Sequence, residues 1–157
     1  SGPWPGTELE FAVPFDWPLA PRRDGSRRDL SVVPGPESKI ADWVRLYDFS
    51  EGWYGVTNGR RRVGFGLRWD TGVFPYLWFW HVFGGMPGYP WYGRNYNIAL
   101  EPFSSVQLTL PDAIQAGSAR TLQPGETLSA RFLAVAYTGP AGVTRITPNG
   151  DVLRGRE

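Results

Sequence analysis

Between Asp70 and Asp112 the chain carries one acidic residue, Glu101, and it follows the densest aromatic stretch of the sequence. Ten of the 24 aromatic residues lie between Phe74 and Tyr96, in FPYLWFWHVFGGMPGYPWYGRNYNIALEPFSS. Indole and phenol rings stack on apolar faces such as the C–H face of a pyranose, and a partly desolvated carboxylate moves a hydroxyl proton. Glu101, set in IALEPF between Leu100 and Pro102, is the candidate general base. The other reading of the same residue is a strand-end carboxylate paired with Arg94. His81, the single histidine, closes the aromatic run and is the candidate acid partner, since imidazole titrates near ~6.5. It also reads as a packed core histidine.

Alternation along PYLWFWHVF puts Trp78, Trp80 and Val82 on one strand face and Leu77, Phe79 and His81 on the other. One face is then core and the other lines a cleft; core on both sides requires a layer on each. Trp91, Tyr92 and Arg94 follow a Gly/Pro loop, where side chains reach into sites, so Trp78, Trp80, Trp91, Tyr92 and Arg94 are the candidate ligand contacts. Asp42, in KIADWVRL, is a further acidic candidate at a strand start, and Asp70, before Thr-Gly, reads as a turn residue. One histidine and no cysteine make a transition-metal site an unsuitable reading, and no phosphate loop or nucleophile elbow is present. No cofactor is expected.

These residues require strands to hold them. ADWVRLYDF, EGWYGVTN, VGFGLRW, PYLWFWHVF, NYNIALEPF and LSARFLAVAY are strand candidates, with Asn58-Gly59 a hairpin signal. In VGFGLRW one face holds Val63, Phe65, Leu67 and Trp69. In LSARFLAVAY, Leu128, Ala130, Phe132, Ala134 and Ala136 oppose Ser129, Arg131, Leu133, Val135 and Tyr137. Only PDAIQAG reads as helical. The expectation is an all-β sandwich in a single domain, 1–157: a loop-rich lead-in over 1–40, a sandwich core over 41–138, and a fraying tail over 139–157 with a turn at Asn149-Gly150. Trp69, Phe79, Ile98, Leu100, Phe132 and Val135 are the expected interior.

Sixteen basic and fifteen acidic residues nearly balance, which argues against nucleic-acid and membrane partners. The clusters Arg22/Arg23/Arg27/Arg28 and Arg60/Arg61/Arg62 read as solvated loops. No apolar run approaches the ~18 residues of a membrane span, and the absence of cysteine suits a reducing cytoplasm. The chain opens with Ser-Gly and no Met, as a trimmed, tagged or excised chain would.

EGWYGVTN, the Pro-aromatic strand FPYLWFWHVFGG, the LEP triplet of NYNIALEPFSS and the late LQPGETL stand in an order that resembles the C-terminal half of galactose-mutarotase-like proteins, the aldose 1-epimerase superfamily. The resemblance spans residues 29–138. It implies part of a β-supersandwich, carbohydrate metabolism, and an isomerase that interconverts anomers of a monosaccharide, with Glu101 as general base and Asp42 loosely matching a sugar-binding aspartate. Trp78 stands near where some members carry a substrate-binding glutamine, so galactose specificity does not carry over. Members are about twice this length, and their acid histidines and a sugar-binding arginine come from the half with no counterpart here. The resemblance therefore implies a fragment, a split subunit or a shortened relative, completed by homodimerisation or by a complementary N-terminal half. A non-catalytic carbohydrate-binding module is the alternative.

Overall fold

The computed structural model describes residues 4–140 and 142–155. The chain is nearly all β, with one short α-helix and one 3-10 turn among the described residues, as the strand-period pattern requires. Its contacts form two compact units, each discontinuous in sequence. The first comprises the residues up to Leu46 with Trp78–Glu101; the second comprises Tyr47–Leu77 with the residues from Pro102 onward.

In the first unit the lead-in is structured. Strands β1 (Leu19–Pro21) and β2 (Arg27–Asp29) pair antiparallel, with Ala20 opposite Arg28. Strands β3 (Ile40–Leu46), β6 (Tyr76–Phe83) and β7 (Tyr96–Phe103) form a sheet in the order β3-β6-β7, with β6 in the centre. Leu9, Ala20, Leu30 and Phe79 form the core, and Phe15, Val44, Ile98 and Leu100 pack against it. Leu9 and Leu30 close the inner face from the lead-in, so apolar residues scattered among Pro, Gly and Arg supply a layer that periodicity does not reveal. Gly85 comes so close to the Ile40–Ala41 main chain that a Cβ there would collide with it, which fixes the start of β3.

The second unit holds β4 (Trp53–Asn58), β5 (Val63–Trp69) and β8 (Phe132–Thr138), antiparallel in the order β4-β5-β8. Asn58 and Gly59 do sit at a hairpin, but its loop spans 59–62: Asn58 Oδ1 accepts from Arg61 N at 2.9 Å, and Arg62 takes a left-handed φ of 54°. Gly64 and Tyr137 are cross-strand partners. The Tyr137 ring lies over the glycine and its hydroxyl meets Thr57 Oγ1 at 2.9 Å. Ile146, fully buried, packs on Gly66 in the same way.

Ile146 belongs to β9 (Val143–Ile146), which pairs with β10 (Val152–Arg154) around the Asn149-Gly150 turn. The tail is thus a hairpin that covers the glycine face of β5 rather than a fraying end. This decides which face of β8 is covered. Leu133, Val135 and Tyr137 are half-buried, whereas Phe132, expected inside, is 47% exposed and touches Phe74. Trp69 and Phe79 are buried as expected, and Ile98 and Leu100 are partly so. Asp70 is a turn residue, its Oδ1 accepting from Gly72 N at 2.9 Å. The helix α1 (Leu110–Gln115) is capped by Thr109, whose side chain accepts from Asp112 N.

Candidate functional site

All eight sequence-derived site residues fall in the first unit, and its three-stranded sheet sorts them onto two faces. The inner face is fixed by packing: Phe79, Val44, Ile98 and Leu100 meet the core, and His81 lies between Phe79 (4.8 Å between ring centroids) and Phe83 (5.3 Å). Alternation then sends Trp43 and Arg45 of β3, Trp78 and Trp80 of β6, and Ala99 and Glu101 of β7 to the outer face. Ring contacts agree, since Trp43 meets Trp78 edge-on at 4.8 Å and stacks with Trp4 at 6.5 Å. Gly84 N donates to Asn95 O at 2.7 Å and Phe83 touches Tyr96. Continuing that antiparallel count sets Trp80 opposite Ala99, and Trp78 opposite Glu101.

The loop between β6 and β7 brings Trp91 to this face, 6.0 Å from Trp80. Main-chain bonds pin it: Gly88 O accepts from Trp91 N and Tyr92 N, Met86 O from Gly93 N, and Trp91 O from Arg94 N. Tyr92, at a left-handed φ of 48°, meets Tyr89 edge-on at 6.1 Å, and both rings are exposed. Trp78 is buried, Trp80 half-buried, and Trp91, Arg94 and Glu101 exposed. The apolar run around Glu101 therefore does not desolvate it, because Leu100 points to the opposite face. Among the described residues Glu101 forms no ion pair with Arg94, so the structural pairing weighed for it is not made.

Asp42 and His81 are elsewhere. Both point to the inner face, Asp42 2% and His81 0% exposed, with Asp42 Oδ2 3.9 Å from His81 Nε2. Asp42 accepts from Glu8 N (3.3 Å) and Leu9 N (3.4 Å). Arg28 Nη1 lies 3.8 Å from both Asp42 and Glu8. Arg28, read from sequence as part of a solvated cluster, is largely buried as the counter-ion of Asp42; the Arg60–Arg62 cluster is exposed as expected. The sheet thus separates His81 from Glu101, and the two do not form an acid–base couple across one cleft. Asp42 holds the lead-in to β3 and does not face the tryptophans.

Burial raises the Asp42 pKa from 3.8 to about 6, against the lowering by the two backbone bonds and Arg28. Burial first, then Arg28, lowers that of His81 from 6.5 to about 3. The native state thus binds more protons at Asp42 than the unfolded chain does, and that contribution is lost as pH rises through about 6. It binds fewer at His81, whose contribution is lost as pH falls from 6.5 toward 3. Between about pH 4 and 6 the slopes oppose, each about 1.4 kcal/mol per unit. Together the two groups make stability nearly flat there. Asp42→Asn should unmask the histidine, so that denaturant unfolding shows stability falling by about 1.4 kcal/mol per pH unit on acidification from 6 to 4. A flat profile in the variant would refute this coupling.

Among the described residues no group of three or more His, Cys, Asp or Glu is arranged to hold a metal, and no helix is long and apolar enough to cross a membrane. The sequence reading missed Arg28, Glu8, Trp43 and Arg45. The alternation of IADWVRL already separates Trp43 and Arg45 from Asp42, but which face is outer depends on the lead-in that covers the inner one. Fold and site together define an all-β protein with a tryptophan-lined sheet face carrying one carboxylate. No protein family, no curated protein and no solved structure matches the chain.

Proposed function

We propose that this chain is a mutarotase-like carbohydrate protein whose sugar site is the outer face of β3-β6-β7, with Glu101 as the base of an aldose 1-epimerase reaction. One observation carries the reading: by strand alternation Glu101 shares its sheet face with half-buried Trp80, and Trp91 packs against Trp80. Trp80 and Trp91 supply stacking surface for a pyranose, and Tyr92 and Arg94 border it from the loop. In the reaction Glu101 removes the C1 hydroxyl proton and an acid protonates the ring oxygen as the C1–O5 bond breaks. The open-chain aldehyde then closes on its other face and the protons return.

His81, buried on the inner face, is not that acid, so the acid comes from a homodimer partner or from a complementary N-terminal half. Exposed apolar residues such as Phe11, Trp17 and Leu110 are surface such a partner would cover. A chain without cysteine accords with a cytoplasmic setting. The second reading, a sugar-binding module without turnover, is favoured by that same inward position of His81.

Anomer exchange by NMR on a panel of aldoses, with calorimetry and light scattering on the same sample, separates the readings. Exchange faster than in buffer supports the isomerase, and saturable binding without exchange supports the module. Absence of binding to every aldose at millimolar concentration overturns both.

A further inference from the structure

We infer that Arg45 makes this sheet face selective for sugars that carry an acidic group, a uronate carboxylate or a phosphate ester. The inference rests on the sugar-site reading above and names the substrate class within it. The Arg45 guanidinium lies over the Trp43 ring, 4.2 Å from its centroid. Its Nε is buried and has no hydrogen-bond partner. Among the described residues no carboxylate lies within ion-pair distance of it.

Other arginines of this chain are matched differently. Arg22 and Arg28 face Glu8, Arg68 and Arg145 share Glu51, and Arg154 donates to the carbonyls of Thr138 and Pro140. Arg45 is half-buried, and burial is the one cause that moves its pKa, downward. A desolvated cation without an anion is costly unless a ligand supplies one.

The Trp43 ring covers one side of the guanidinium, whose two Nη groups remain as a fork of N–H donors. That fork matches the two oxygens of a carboxylate or phosphate, whereas a neutral hydroxyl offers one oxygen. Placement also fits. On β3, Arg45 follows Trp43 by two residues and so shares the face on which Trp43 meets Trp78. Arg45 and Glu101 then stand on one face of the two outer strands, which run two strand spacings or about 10 Å apart. A pyranose stacked on Trp80 and Trp91 directs its anomeric end to Glu101 and its acidic group toward Arg45, which keeps the two like charges apart.

Calorimetry on the full chain with glucuronate, galacturonate, glucose 6-phosphate, glucose, galactose and inorganic phosphate tests this. Acidic sugars should bind about 10-fold or more tighter than their neutral counterparts, the range of one charge-assisted contact; the uronate and phosphate arms identify the acidic group. Arg45→Gln should erase the preference and leave neutral-sugar affinity in place, and Arg45→Lys should restore it only in part. If near-UV circular dichroism shows the glutamine variant misfolded, the lysine variant carries the comparison. Equal affinity for neutral and acidic sugars overturns the inference and leaves the sugar site standing, as does an unchanged preference in the variants. Inorganic phosphate binding as tightly as the sugar phosphate also overturns it. No binding by any sugar removes the site and the inference together.

Discussion

Glu101→Gln is expected to slow anomer exchange in the complete assembly by about 10²–10⁴-fold, the contribution typical of a positioned general base, while sugar affinity stays close to that of the parent chain. Glutamine preserves the shape and hydrogen-bonding reach of the side chain but accepts no proton. Glu101 is exposed and makes no ion pair among the described residues, so the substitution removes no contact that holds the fold. The loss should therefore appear in kcat rather than in stability or binding. Polarimetry or exchange NMR reads the rate, and calorimetry reads the affinity. Unchanged exchange in the variant would remove Glu101 from the mechanism, and equal loss of binding and rate would make it a binding residue.

Arg28→Met should destabilise the chain by about 3 kcal/mol at pH 8, the lower end of the cost of stripping a buried charge of its partner. Arg28 is 11% exposed in its side chain and Asp42 2%, with 3.8 Å between them, so solvent does little to screen the pair. The loss should shrink at pH 5. Asp42 already holds a proton there, since its folded pKa is raised to about 6, and a neutral carboxyl needs no counter-ion. Removing Arg28 raises that pKa further and so strengthens the pH dependence. His81, whose pKa Arg28 holds down, also gains freedom to charge. Urea unfolding at the two pH values measures both effects. A pH-independent loss would mean that Arg28 acts through packing of its aliphatic stem.

The strands that carry the site were legible because their signal is local. Period-two alternation and turn residues located β3 to β8 to within a few residues, and they divided Trp78 and Trp80 from Phe79 and His81. The helix at PDAIQAG and the Asp70 turn were equally readable, since capping and Asx-turn chemistry act over three or four residues. Composition and turn spacing were enough for the all-β class.

What lay beyond reach was decided by residues far apart in sequence. Alternation gives two faces but not which is covered. For β8 the choice fell to Ile146 and Val143, whose hairpin settles on Gly66 of β5 and Gly55 of β4 and leaves Phe132 outside. For β6 it fell to Leu9, Ala20 and Leu30, in a lead-in whose sequence reads as loop-rich. Burial of charge is non-local for the same reason. Arg28 looks solvated among Asp, Ser and Arg, yet pairing β2 with β1 turns it inward beside Asp42. Glu101 looks desolvated in IALEPF, yet alternate residues of a strand face opposite ways, so Ile98 and Leu100 meet the core while Glu101 faces water. Residue type and spacing thus determined the strands and the chemistry each carries. Only tertiary packing, by choosing the covered face of each sheet, placed Glu101 with the tryptophans and Asp42 with His81.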